Sequence, residues 1–266
     1  MKRFALLMAT IAALVLSSVT SASADQLRGN RFAAPTAHTT VAKLATSVSP
    51  ISTAATLGRS TSGILPATGA LRAFYAEVQR QWWQWDGAFV VSKGHPGLDP
   101  TGALCGKKQN GAAWFLETGD VATERTCRVP AGRLIYMPVA MVICSPLIGY
   151  DLRPNELQAC ASGEFDALDF QFRATLDGRP VDDVLSYRTQ TGVFSLKLPA
   201  DNLYAYFGLP APGGKGPAAA DSVALLLLPP RPGTHVLSVS GSLPDGTVFA
   251  TTRYNLIVGD RDNERE

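Results

Sequence analysis

The chain has 266 residues, 46% of them hydrophobic, with 24 Lys and Arg against 22 Asp and Glu. A hydrophobic share of that size supports a real core, enough for one large domain. The near-neutral charge, with no dense Lys/Arg cluster, argues against nucleic acid as the main partner, because phosphate binding needs a basic excess or patch.

Met1-Lys2-Arg3 is basic, Phe4 to Leu16 is an apolar run of 13 residues, and Ala22-Ser23-Ala24 supplies small residues. That layout predicts a secretory signal peptide over residues 1–24, cut before Asp25. The run falls short of the roughly 20 apolar residues a bilayer span takes. The longest apolar run elsewhere, Val223 to Leu228, is shorter still, so no membrane span is expected in the mature protein. Removing Lys2 and Arg3 leaves 22 basic against 22 acidic residues. Residues 25–67 are rich in Ala, Ser and Thr and poor in aromatics, which predicts a disordered leader.

A helix follows. Leu71, Phe74, Tyr75, Val78, Trp82 and Trp85 recur at helical spacing and fall in one sector of a 3.6-residue wheel. Arg72, Glu77, Gln79 and Arg80 lie off that stripe. Trp83 lies about 100° from it, either packed on another segment or exposed. From Ala112 the pattern changes to strands. Leu168, Phe170, Phe172, Ala174 and Leu176 alternate with polar residues, and so do Phe194, Leu196 and Leu198. Val248 to Val258 alternates in the same way behind the Asp245-Gly246 turn. Val223 to Leu228 is continuously apolar, as a strand buried on both faces would be. Arg133 to Ile143 is a further strand candidate, broken at Pro138. Gly208 to Asp221, rich in Gly, Pro and Ala, predicts a loop. These elements predict an all-β fold, mainly antiparallel, a β-sandwich or jelly-roll with one N-terminal amphipathic helix. The domain should run from 68 to 260, with a charged tail over 261–266.

Four cysteines, Cys105, Cys127, Cys144 and Cys160, remain after cleavage. An even number in an exported chain points to disulfides, with three connectivities open. The pairing 105–127 with 144–160 is favoured because it closes the smaller loops. No metal or cofactor is expected. The chain has no Cys-x2-Cys pair, no His-Glu-x-x-His, no P-loop and no Gly-x-Ser-x-Gly elbow.

All four tryptophans fall between Trp82 and Trp114. Aromatic faces can stack on sugar rings while polar neighbours bind hydroxyls, which makes Trp83, Gln109 and Asn110 ligand-binding candidates, with Gln84 and Asp86 beside them. His95 and Asp99 share a Pro/Gly-rich loop and are candidates for an acid–base pair. Glu117, with Asp120 and Glu124 nearby, offers the carboxylates a glycosidase would need. Arg125 completes the catalytic candidates.

The stretch Trp82 to Cys144 runs through Asp99-Pro100-Thr101-Gly102, Cys105, Gln109-Asn110-Gly111, Trp114-Phe115-Leu116, Arg125-Thr126-Cys127 and Pro130-Ala131-Gly132. It resembles an uncharacterised family of exported bacterial β-rich proteins with the pattern Trp, Asp-x-Thr-Gly, Cys, Gln-x-Gly, Trp-Phe-Leu, Arg-x-Cys and Pro-x-Gly. The segment Pro229 to His235 and the Tyr254 strand resemble the end of the same proteins. The resemblance implies a shared β-rich exported domain and no particular activity.

The resulting expectation is a secreted or periplasmic ligand-binding or structural protein. Its partner would be a glycan or a cell-envelope component, held through exposed aromatics. The alternative is a secreted hydrolase or lyase acting on an extracellular polysaccharide.

Overall fold

The architecture is seen in a computed structural model that describes residues 63–119 and 122–259. The signal peptide, most of the leader, Asp120 and the charged tail lie outside the described residues. Helix α1 spans Ala70–Asp86 and buries Tyr75, Val78, Trp82 and Trp85 from the expected stripe. It also buries Gln79, Trp83 and Asp86.

Ten strands follow among the described residues: β1 (Trp114–Phe115), β2 (Thr123–Pro130), β3 (Ile135–Cys144), β4 (Gln171–Leu176), β5 (Arg179–Pro180), β6 (Arg188–Gln190), β7 (Phe194–Leu198), β8 (Gly214–Leu227), β9 (Gly233–Ser242) and β10 (Val248–Gly259). Two further helices, α2 (Leu157–Asp166) and α3 (Leu203–Tyr206), correct the expectation of a single helix. Their short or weakly patterned sequences carry no helical stripe to read.

One sheet has the order β1-β3-β8-β6, with β7 also pairing β8, and the other the order β2-β10-β9-β4-β5. Most pairs are antiparallel, but β1 with β3 and β2 with β10 are parallel. The chain leaves the first sheet after β1, lays down β2 in the second, and returns as β3. Such a crossover is what parallel neighbours require. The fold is therefore β-rich and mainly antiparallel, as expected, with one parallel pair in each sheet.

Strand β8 explains the apolar run of the sequence. Ala224 and Leu226 pack with Tyr75, Trp82 and Tyr136. Val223, Leu225 and Leu227 pack with Leu237, Val239, Tyr254 and Leu256 of the second sheet. Successive side chains point to opposite faces, so both faces of β8 over residues 223–227 lie in a core and every position there is apolar. The strand reaches back to Gly214, into the segment expected to be a loop. Residues 214–218 pair with β7 and residues 219–227 with β3. Tertiary pairing overrides the Gly and Pro content there. Pro138 does not end β3 either; the ladder to β8 shifts register between Pro138 and Ala140, a bulge that accommodates the missing N–H.

The disulfides are Cys105–Cys127 and Cys144–Cys160. The first ties the 95–110 loop to β2, and the second ties β3 to α2. At Gly102 the loop lies so close to β2 that a Cβ would sit 2.5 Å from the Thr126 carbonyl oxygen, and its φ of +84° favours glycine independently.

The core begins earlier than the leader boundary suggests. Ile64 and Leu65 are buried, and Leu65 N–H donates to Leu226 O at 2.9 Å. Leu228 N–H returns a bond to Gly63 O at 2.9 Å, and Tyr75 Oη donates to Leu65 O. This five-residue edge is too short to show a period. Burying two such side chains contributes about 1.5–3 kcal/mol each. A chain starting at residue 68 is expected to melt well below one starting at 63. Equal melting temperatures would remove residues 63–67 from the core.

Candidate functional site

Four of the polar candidates converge, but inside the protein. Asp86 ends α1 and sits four residues after Trp82, on the same buried face. His95, Asp86, Glu117 and Arg125 are all at most 4% exposed. His95 Nδ1 accepts the Gly97 N–H at 3.0 Å, which places the ring proton on Nε2. Nε2 lies 3.2 Å from Asp86 Oδ1, an approach without hydrogen-bond alignment.

Arg125 Nη1 donates to Glu117 O at 3.1 Å and to Tyr254 Oη at 3.2 Å, and Nη2 donates to Gly97 O at 3.0 Å. Tyr254 Oη donates to Glu117 O at 3.0 Å. One guanidinium thus joins β2, β10, the His95 loop and the chain after β1. The Glu117 carboxyl is close enough to Asp86 to feel its charge. Burial first, and then the Asp86 carboxylate, push Glu117 well above the usual carboxylate range, while Arg125 opposes. The buried hydroxyl of Tyr204 in α3 is raised by burial and by the same two carboxyls.

The consequence is a stability that depends on pH with the sign opposite to most acids. Glu117 holds its proton in the folded state above 4.5, where the unfolded chain gives it up. Its contribution is complete below about pH 4.5 and is lost as pH rises, by at most about 1.4 kcal/mol per unit. Carboxylates such as Glu77, bound by Arg80, and Asp99 are shifted down and lose their contribution as pH falls. Glu117→Gln is therefore expected to match the parent near pH 4 and to exceed it in urea stability increasingly toward pH 8. Parallel stability curves for the two proteins would contradict this.

The other candidates are structural. Asp99 Oδ1 accepts from the Thr101 N–H and hydroxyl, and Oδ2 accepts from the Leu104 N–H, so this carboxylate organises its own loop. Gln109 Nε2 donates to Cys105 O and Phe115 O at 2.7 Å, and its Oε1 accepts the Phe115 N–H. It fastens the loop to β1 and presents no ligand-binding amide. Trp83, expected as the exposed platform, is 5% exposed and packs among Leu196 and Leu198. Strand β7 covers the second side of α1, with Gln84 Nε2 bonded to Ser195 O. That is why the helical phase places Trp83 off the stripe and yet in the core. Glu124 lies on β2, exposed, and accepts from Asn255. His95 and Asp99 line a shallow recess of about 360 Å³ open to solvent, beside Leu98 and Leu104.

Asn110 is different. It is exposed, its side chain makes no hydrogen bond among the described residues, and it lines a groove of about 710 Å³ along α1. Arg80, Gln81, Gln84 and Lys108 supply the polar wall, and the buried rings of Trp85 and Phe115 lie beneath the floor. Lys108 was not among the sequence candidates. The available signal was its place between the disulfide loop and Gln109. No group of three or more His, Cys, Asp or Glu among the described residues is arranged to hold a metal ion. No helix there is long and apolar enough to cross a membrane.

No protein-family model and no curated protein matches the chain. Among solved structures, a chain of "Structure of PbICP-C in complex with falcipain-2" aligns over 56% of this chain and 99% of its own, with 11% identity and a TM-score of 0.22. A likeness that weak carries no argument about fold or function.

Proposed function

We propose that this is an exported β-sandwich protein of the periplasm or cell exterior that binds carbohydrate in the groove along α1. The groove carries the reading. Asn110 offers a free amide to sugar hydroxyls there, beside Lys108 and beside Gln81 and Gln84, whose amides are bonded within the protein. The two disulfides agree with an oxidising compartment. The hydrolase or lyase alternative gains less support, because Asp86, Glu117 and Arg125 are each at most 4% exposed.

The test is a glycan array on the protein, followed by calorimetric titration of each hit against Asn110→Ala. The substitution is expected to weaken binding about threefold to tenfold, as one lost hydrogen bond would, with an unchanged melting temperature. A folded protein that binds no oligosaccharide would overturn the reading.

A further inference from the structure

Resting on that reading, we infer that the groove selects acidic saccharides, with the ammonium of Lys108 as the group that recognises the sugar's negative charge. The argument begins with the loop. Gln109 points inward and is held by three hydrogen bonds to Cys105 and Phe115, while Cys105 itself is bonded to Cys127. Its neighbours Lys108 and Asn110 both line the groove. Lys108 takes a φ of +53°, a left-handed conformation that costs a non-glycine residue energy and that a fixed loop must hold in place.

The side chain is held as firmly as the backbone. Its Nζ donates to Ala88 O at 2.5 Å and stands 4.7 Å from the centre of the Phe89 ring. An ammonium has three donors, so two remain for a ligand. Lys108 has no carboxylate within ion-pair distance among the described residues, in contrast to Arg80, which is occupied by Glu77. No acidic residue among those described lines the groove. The groove therefore presents one positioned, unpaired positive charge beside the free amide of Asn110. That is the complement of a sugar carrying both hydroxyls and a carboxylate.

The experiment titrates the protein with an oligogalacturonate, with a neutral galactan oligomer of equal length, and with inorganic sulfate, each at low and at physiological salt. The oligogalacturonate is expected to bind at least fivefold tighter than the galactan, with an advantage that shrinks as salt rises. Lys108→Gln should abolish that advantage without changing the melting temperature, and Lys108→Arg should keep it. Equal binding of the two oligomers, or an advantage unaffected by Lys108→Gln, would overturn the inference and leave the groove reading intact. Sulfate binding as tightly as the oligogalacturonate would also overturn it, because a bare anion site would then account for the preference. Failure of both oligomers to bind would overturn the inference, and the groove reading falls with it if the array also returns no hit.

Discussion

Replacing Arg125 with leucine is expected to lower stability by about 3–5 kcal/mol, the range for removing one partner from a buried charged network. The residue is 1% exposed and donates to Glu117 O, Tyr254 Oη and Gly97 O. Leucine fills part of the volume and satisfies none of those oxygens. It also takes away the one positive charge that opposes the buried Asp86–Glu117 pair. The midpoint of urea unfolding, followed by tryptophan fluorescence, measures the loss. Arg125→Lys keeps the charge but cannot span three acceptors, and should fall between parent and Arg125→Leu. A loss below about 1 kcal/mol for the leucine variant would mean that the network is solvated.

The second large effect concerns the paired tryptophans of α1. Trp82→Ala and Trp83→Ala are each expected to cost about 3–5 kcal/mol, as truncation of a buried large aromatic does. Both rings lie in the layer between α1 and the first sheet, edge to face at 4.9 Å. Phenylalanine separates them. Trp82 Nε1 donates to Leu116 O at 2.8 Å, so Trp82→Phe orphans a buried carbonyl. Trp83 Nε1 is buried without a hydrogen bond, so Trp83→Phe removes an unsatisfied donor and should cost less. Thermal melts of the four variants decide the matter. A Trp83→Ala protein as stable as the parent would return that ring to the surface.

The sequence was readable where one physical signal dominated. The stripe from Leu71 to Trp85 marks α1, because a helix against a sheet must bury one face. The alternation of Phe194, Leu196 and Leu198 marks β7, buried at every second residue. Neighbouring cysteines gave the favoured disulfide pairing. What was not readable depended on a second covering element. Trp83 and Gln79 are buried because β6, β7 and β8 reach beyond the stripe. Gln79 there bonds Ser222 Oγ and Thr189 Oγ1. Gly214 to Asp221 reads as a loop until β3, β6 and β7 supply partners. The buried cluster was half legible. His95, Glu117 and Arg125 stood out by chemistry, while Tyr254 and Tyr204 come from distant segments with no local mark. Asp86 did carry a mark, a carboxylate four residues after Trp82 on an apolar face.

The parallel pairing of β2 with β10 sets an order on assembly. Its register joins Thr123 to Thr252 and runs to Pro130 and Gly259, so a strand from the first half of the fold waits for the last one. Until β10 docks, β2 has no neighbour in its sheet and β9 lacks its partner on one side. Closing so long a loop carries an entropic cost that slows folding. The half-built intermediate presents two bare strand edges, which are templates for pairing with another chain. Losses from the C-terminus are therefore more dangerous than their length implies. A chain ending near Gly246 keeps nearly all of its core residues and yet exposes both edges permanently, making it a species that aggregates rather than one that is merely less stable.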